Sequence, residues 1–167
     1  MANRIVIGID PGLSGALCLL HDGGKPSFMD MPTQMSTKTG KQLIDCERLS
    51  AFLRGIKTLH NGAYITAVIE AVGMRPINSR GSDQKAAIGY GMILGIVAAL
   101  RIDHQTVQPQ KWKKHHGLIG TAKDAARVLA LAKFPEEAGL WLNRKKDNGR
   151  ADALMIALWA HETEAWI

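Results

Sequence analysis

Three acidic residues of this chain stand beside apolar sequence, where a carboxylate needs a positive partner. Asp10 ends the run RIVIGID, Glu70 ends the run YITAVIE, and Asp152 is the one charged residue within ADALMIALWA. Burying an unpaired carboxylate is costly, and hard cations such as Mg²⁺ prefer oxygen ligands. A divalent-metal site is therefore the first interpretation, and a turn, a helix cap or a basic neighbour is the alternative for each acid.

The two runs that end in Asp10 and Glu70 are typical of strands buried on both faces of a sheet. If these strands are parallel neighbours, their last side chains lie about one strand spacing apart, roughly 5 Å. The carboxyl ends of such strands are where open α/β sheets bind ligands. Carboxylates this close raise each other's pKa unless a cation lies between them.

The remaining pattern predicts the elements that must position these acids. Further strands are expected at residues 15–21, 27–31 and 103–107, polar loops at 33–41 and 73–83, and a helix containing Leu49 to Ile56. A very apolar helix at 88–100 is expected largely in the core, followed by a short basic helix from Pro109, a helix behind a capping box at Thr121 and Asp124, and a last helix over 150–162. This order predicts an α/β fold with a mixed sheet and crossover helices.

The composition favours a polyanionic partner. The 167 residues fit one domain, and 21 Lys and Arg against 15 Asp and Glu give a net charge of +6. Two cysteines outside any CxxC pair predict neither a disulfide framework nor a zinc site and favour a reducing compartment. Because no long uninterrupted apolar stretch occurs, we expect neither a signal peptide nor a membrane span, and therefore a cytoplasmic protein.

Four segments carry a family resemblance. GIDPGLSGAL at 8–17, VIEAV at 68–72, QPQKWK at 108–113 and RADALMIAL at 150–158 occur in the order seen in RuvC-type Holliday-junction resolvases. Over nearly its whole length the chain resembles this family. The resemblance implies a single ribonuclease-H-like nuclease domain over 1–167, with a mixed five-stranded sheet flanked by helices.

The resemblance also implies a mechanism. Asp10, Glu70 and Asp152 match the family's metal-binding acids, which hold two Mg²⁺ ions, with Mn²⁺ as a substitute, for phosphodiester hydrolysis. Lys113 is similar to a lysine that contacts the scissile phosphate. The family's homodimers cut two opposed strands of a four-way junction, so the expected partners are branched DNA and a second copy of the chain.

Two departures from the family pattern qualify this expectation. The family's fourth acid stands three residues before the final Asp, where this chain has Gly149, and Asp147 is the nearest substitute ligand or else an exposed turn residue. The loop after Glu70 has Gly73 and Met74 where the family has an intruding aromatic residue. The predicted substrate is therefore branched DNA in general rather than the four-way junction alone.

Basic residues cluster on segments predicted near the acids. The predicted DNA-binding residues are Arg75, Arg80, Lys111, Lys113, Lys114, Lys123 and Arg150. A solvated basic face is the alternative for each of them. We expect His115 and His116 to be exposed or to contact phosphate rather than bind metal, and Trp112 to anchor its helix on the core rather than stack on a base.

Other functions remain open at this point. An ATP-binding protein of the actin and sugar-kinase type shares the strand-Asp-Gly motif but normally needs two such domains. A catalytically inactive junction-binding module is one alternative, and a ribonuclease-H-like nuclease acting on RNA is another.

Overall fold

The computed structural model describes residues 4–22, 24–72 and 80–165, except for the side chains at 80–83, 138 and 145. Its main sheet begins with three antiparallel strands, β1 (Arg4–Asp10), β2 (Ala16–His21) and β3 (Ser27–Asp30). Two three-residue strands, β4 (Thr33–Met35) and β5 (Gln42–Ile44), form a separate hairpin. Two further strands, β6 (Tyr64–Glu70) and β7 (Asp103–Val107), complete the main sheet.

The main sheet has the order β3-β2-β1-β6-β7, with β6 parallel to both β1 and β7. Ile9 of β1 pairs with Ile69 of β6, so the next residues, Asp10 and Glu70, end neighbouring parallel strands at the same edge. The predicted mixed five-stranded sheet is confirmed.

Six α-helices flank this sheet in the described part of the chain. They are α1 (Cys46–Leu59), α2 (Arg80–Ala99), α3 (Pro109–His115), α4 (Ala125–Lys133), α5 (Pro135–Trp141) and α6 (Asn148–Thr163). One apolar cluster packs α6, α4 and Trp112 on one face of the sheet. The other packs α1 and α2 on the opposite face.

Helix α6 lies directly on β1 because Gly8 has no side chain. A Cβ at Gly8 would overlap the carbonyl oxygen of Ala153 and come within 2.9 Å of the Ala157 methyl carbon. Residues 153–160 of α6 are all buried. This contact sets the distance between β1, which ends in Asp10, and the helix that carries Asp152.

Several sequence-based expectations for local structure are wrong. The segment 33–41 is not only loop, because β4 pairs with β5 through Met35 and Gln42. Helix α2 begins at Arg80 rather than after residue 83, and Ile88 is 51% exposed, so one side of this apolar helix lies outside the core. A period of apolar residues identifies a helix but cannot say how much of it another element covers.

The helix ends also differ from expectation. Thr121 does not form a capping box, because its hydroxyl donates to the carbonyl of Leu118 and Asp124 makes no side-chain cap bond. Helix α6 begins at Asn148, two residues before the predicted start. Helix α5, which starts at Pro135, was not predicted.

Within the described ranges, no helix is both long and apolar enough to cross a bilayer.

Candidate metal-binding active site

The three predicted carboxylates meet at the carboxyl edge of the sheet. Asp10 and Glu70 end β1 and β6, and Asp152 lies in the second turn of α6, which crosses β1. All three side chains are half-buried. The turn after β1 fixes the first of them, because the Gly12 amide donates to Oδ1 of Asp10 over 3.2 Å.

A buried tryptophan fixes the second carboxylate. Trp112 is fully buried in α3, and its indole Nε1 donates to Oε1 of Glu70 over 3.0 Å. The tryptophan is therefore the core anchor that the sequence predicted and also an orienting partner of the site. The sequence carried no signal for this second role, because the two residues are 42 positions apart.

The protonation behaviour of the acids shows that they share one electrostatic environment. Burial raises the pKa of Asp10. Burial also raises the pKa of Glu70, and the negative charge of Asp10 raises it further. Burial, followed by the charges of Asp10 and Glu70, raises the pKa of Asp152 to about 7. The charge of Lys113 lowers the pKa of all three, which places this lysine beside the whole group.

This arrangement fits a divalent cation. Three carboxylates are an all-oxygen donor set of the kind hard cations prefer. Burial raises the pKa of all three although the charge of Lys113 opposes it, and a bound cation would favour their ionised forms. In the described structure, carboxylate oxygens of Asp10, Glu70 and Asp152 do not all lie within 4.8 Å of one another, so the three acids do not form a closed cage. An open set can accommodate two ions, which stand about 3.5–4 Å apart in two-metal sites.

The raised pKa of Asp152 predicts how stability depends on pH. Its pKa of about 7 in the folded protein lies above the ordinary aspartate value of 3.8, so the ionised carboxylate destabilises the metal-free fold. This destabilisation is fully present above pH 7 and disappears as the pH falls from 7 towards 4. Metal-free Asp152→Asn should therefore unfold at higher denaturant than the wild type at pH 8, by no more than about 4 kcal/mol, and the difference should vanish near pH 4.

Urea titrations of both proteins in EDTA at pH 8, 6 and 4 measure this difference. Mg²⁺ at pH 8 should stabilise the wild type and leave Asp152→Asn nearly unchanged, because a ligand stabilises only the state that binds it. A pH-independent difference between the two proteins would show that Asp152 is not electrostatically strained.

A cleft of about 240 Å³ opens beside the carboxylates. Asp152 and Lys113 line it together with Thr121 and Lys123, and the charges of both lysines act on Asp152. Lys113 is half-buried, with Nζ 5.1 Å from the centre of the Trp112 ring, whereas Lys123 is exposed. The cleft therefore brings the Asp152 carboxylate together with two lysines, and such cations can stabilise negative charge on a phosphodiester substrate.

Asp147 is not directed at the carboxylate cluster. Its buried carboxylate accepts from the Arg144 backbone amide over 3.0 Å and from the Arg144 guanidinium over 2.7 Å. Although burial opposes ionisation, these hydrogen bonds and the charge of Arg144 hold the pKa of Asp147 below its usual value. The geometry does not favour Asp147 as a metal ligand, because arginine occupies its oxygens, and its predicted alternative as an exposed turn residue is wrong.

The absence of a fourth acid at residue 149 has a steric reason. A Cβ on Gly149 would lie 2.5 Å from the carbonyl oxygen of Ser14 and 2.9 Å from Cα of Gly15. Both atoms belong to the backbone of the turn between β1 and β2, which cannot rotate out of the way. The N-terminal end of α6 therefore packs against this turn only because residue 149 has no side chain.

The predicted DNA-binding residues divide into three groups. The four lysines form the first group: Lys111, Lys114 and Lys123 are exposed and Lys113 is half-buried. Nζ of Lys111 also lies 5.2 Å from the centre of the Trp159 ring. Arg75 and the side chain of Arg80 lie outside the described residues.

The third group is Arg150 alone. Its guanidinium donates to both carboxylate oxygens of Asp30 over 2.6 and 2.7 Å and to the Trp141 carbonyl over 3.0 Å. Because these bonds engage its donors within the protein, the geometry does not favour the DNA contact predicted for Arg150. The residue instead ties α6 to β3 and α5.

No protein-family model matches this chain. A stretch of 71 residues is 41% identical to the chloroplastic Holliday junction resolvase MOC1 of Chlamydomonas reinhardtii. This stretch covers 42% of the chain but only 8% of the algal protein, so the chain corresponds to a small part of that relative.

Solved structures resemble the chain over almost its full length. RuvC of Thermus thermophilus matches with a TM-score of 0.61 and 18% sequence identity, over 96% of both chains. The same protein in complex with a Holliday junction substrate matches with a TM-score of 0.59 and 17% identity, over 97% of this chain and 95% of that one. The yeast mitochondrial Holliday junction resolvase Ydc2 matches with a TM-score of 0.53 and 14% identity, over 96% of this chain and 80% of that one. The chain thus has a ribonuclease-H-like fold. Within that class its architecture is that of the RuvC-type resolvases, which confirms the resemblance seen in the sequence.

Proposed function

We propose that this protein is a metal-dependent endonuclease that cuts branched DNA, including Holliday junctions, by paired nicking. The observation that carries the proposal is the meeting of Asp10, Glu70 and Asp152 with Lys113 at the carboxyl edge of the sheet. The RuvC-like fold and the stretch shared with an algal Holliday junction resolvase support the same reaction. A cytoplasmic location, in a bacterium or a phage-infected bacterium, is part of this proposal.

Each side chain has a separate role in the proposed reaction. Asp10, Glu70 and Asp152 would hold two Mg²⁺ ions, with Mn²⁺ as a substitute, which supply Lewis-acid activation of water and of the leaving oxygen. Lys113, partly buried beside the acids, offsets negative charge that develops on the phosphate. Trp112 holds the Glu70 carboxylate in one orientation through the hydrogen bond from its indole nitrogen, as partners of metal-binding carboxylates do.

Paired nicking requires two active sites, and α2 offers a surface for a homodimer. Gly91 and Gly95 lie on its exposed side, where an added Cβ would meet nothing within 4 Å, and Ile88 is half-exposed next to them. Small residues allow two helices to approach closely, and burial of an exposed apolar side chain against a partner lowers the free energy of the complex. We therefore place the proposed dimer contact on this side of α2.

The substrate is tested with a panel of labelled nucleic acids in Mg²⁺. Four-way and three-way DNA junctions should be nicked, while linear duplex and RNA–DNA hybrid of the same sequence should remain intact. Tight junction binding without cleavage would instead support an inactive junction-binding module. Cleavage of only the hybrid would support a nuclease that acts on RNA.

Trp112→Phe should lower the rate of junction cleavage about tenfold, as for other partners that orient a ligand. The substitution keeps an aromatic ring in the core but removes the donor to Glu70. Trp159→Phe is the matched control, because Trp159 is buried in the same apolar cluster, and the side-chain hydrogen bond to Glu70 in the described structure comes from Trp112. Equal losses in both variants would show that the effect comes from packing alone.

Replacement of Lys111, Lys113 and Lys114 by glutamine should weaken junction binding and flatten its dependence on salt. Each phosphate contact contributes about 0.9 to the slope of log K against log salt concentration, so the slope should fall by up to about 3. Arg54→Gln is the control, because Arg54 lies on α1. This helix ends at Leu59, shortly before β6 begins at Tyr64, and therefore at the edge of the sheet opposite Glu70. Binding measured by fluorescence anisotropy in Ca²⁺ or EDTA separates this effect from cleavage, and an unchanged slope would remove these lysines from the interface.

A further inference from the structure

A second cluster of ligand-type side chains lies at the far end of α3, outside the carboxylate site. Among the described residues, His115, His116 and Glu162 are the group whose ligand atoms all lie within 4.8 Å of one another. The histidines form the end of α3, and Glu162 lies in the last turn of α6. The proposed nuclease reaction uses none of these three residues.

The hydrogen bonds of the cluster determine which atoms are available. Nε2 of His115 lies 2.7 Å from Oε2 of Glu162, and Nε2 of His116 lies 2.8 Å from the carbonyl oxygen of Met155. A carbonyl oxygen only accepts, so Nε2 of His116 carries the proton and Nδ1 of the neutral ring has a free lone pair. A backbone carbonyl that holds one ring nitrogen is the usual support of a metal-binding histidine.

The charge state of the cluster also suits coordination. Burial lowers the pKa of His116, which keeps the ring neutral at physiological pH. Hydrogen bonds from His115 and Lys133 outweigh burial and hold the pKa of Glu162 below its usual value. The ammonium of Lys133, 3.3 Å from Oε1 of Glu162, is the cation that a metal ion would have to compete with.

We propose that His115, His116 and Glu162 form a binding site for a transition-metal ion of the zinc class. Two imidazoles and one carboxylate favour Zn²⁺, Ni²⁺ or Cu²⁺ over Mg²⁺, which prefers oxygen ligands. Bonds of about 2.1 Å in tetrahedral geometry separate ligand atoms by roughly 3.4 Å, so the present spacing needs only small side-chain movements. The ion would take the place of the proton between Nε2 of His115 and Glu162, and this proton passes to Nδ1 of His115 or to solvent. This assignment revises the expectation that both histidines are simply exposed or bound to phosphate.

The site joins two elements that carry the carboxylate cluster. Helix α3 holds Trp112 and Lys113, and α6 holds Asp152. An ion bound across the ends of α3 and α6 fixes these helices relative to each other and stabilises the folded state in proportion to its affinity. The site itself does not depend on the proposed nuclease activity.

Titration calorimetry of the EDTA-stripped full chain with Zn²⁺ tests the site. With Mg²⁺ in excess throughout to occupy the carboxylate cluster, we expect one Zn²⁺ ion to bind with micromolar affinity in the wild type and equally in Asp152→Asn. His115→Ala and Glu162→Gln should each weaken binding by about tenfold or more. His60→Ala is the control, because His60 lies at the end of α1, away from the cluster, and it should bind as the wild type does.

Lys133→Met is the most specific variant for this test. Removing the competing ammonium should tighten Zn²⁺ binding several-fold, and Zn²⁺ should raise the melting temperature of this variant more than that of the wild type. Zinc binding that survives in His115→Ala and Glu162→Gln, or that disappears in Asp152→Asn, would overturn the assignment. Weaker or unchanged binding in Lys133→Met would do the same.

Discussion

Asp10→Asn should abolish junction cleavage, with a rate at least about a thousandfold below that of the wild type, while junction binding changes by less than a few-fold. Asp10 is central to the carboxylate cluster, because burial raises the pKa values of both Glu70 and Asp152 and the charge of Asp10 raises them further. Replacing the Asp10 carboxylate by an amide keeps the shape of the side chain and can keep the hydrogen bond from the Gly12 amide, but it removes a negatively charged metal ligand. Electrostatic and metal contributions of this kind are worth several kcal/mol in the transition state.

Single-turnover cleavage rates and binding in Ca²⁺ measure the two quantities separately. Asp22→Asn is a matched control, because Asp22 is an exposed acid just beyond β2 and pairs with His161. Asp10→Asn should also bind the junction slightly more tightly, since one charge that repels phosphate is gone. A variant at Asp10 that keeps full activity would remove the proposed site.

Gly149→Asp should destabilise the protein by about 3 kcal/mol, as for other overpacked sites, although it restores the acid that the family pattern contains. The new Cβ would meet the Ser14 carbonyl oxygen at 2.5 Å, and either α6 or the turn after β1 would have to move. Because Asp10 precedes that turn, cleavage should fall as well. Thermal unfolding should show a melting temperature lower by roughly 6 to 12 °C.

Two further variants separate the steric effect from the charge. Gly149→Ala should destabilise almost as much as Gly149→Asp, because the Cβ causes the overlap. Gly55→Ala on α1 is the control, since an added Cβ there meets nothing within 4 Å and should be neutral or stabilising by up to about 1 kcal/mol. A stable and more active Gly149→Asp would contradict this account of the missing acid.

The sequence predicted the main sheet and the three carboxylates because both depend on local pattern. Runs of β-branched residues define β1 and β6, and Asp10 and Glu70 are recognisable as the residues that end them. Asp152 could be identified because a single acidic residue is rare within an apolar segment that is expected to be buried. The RuvC-type motifs then supplied the relation among these segments, which periodicity alone does not provide.

The remaining features depend on contacts between residues far apart in the chain. Nothing in the local sequence shows that Trp112 donates to Glu70 or that Arg150 pairs with Asp30 across 120 positions. The pairing of β4 with β5 escaped prediction because three-residue strands are too short to show alternation. The sequence does not show that Asp147 is paired with Arg144, because this contact depends on side-chain geometry in a tight 3-10 turn.

The most direct test of the central claim follows cleavage of a synthetic four-way junction whose four strands are labelled in turn, in Mg²⁺ or EDTA. The carboxylate cluster and the proposed dimer predict nicks at symmetric positions in two opposed strands in Mg²⁺. They also predict no cleavage in EDTA and none by Asp152→Asn. Cleavage that persists in EDTA or in Asp152→Asn would contradict the assignment of these carboxylates as the metal-binding active site.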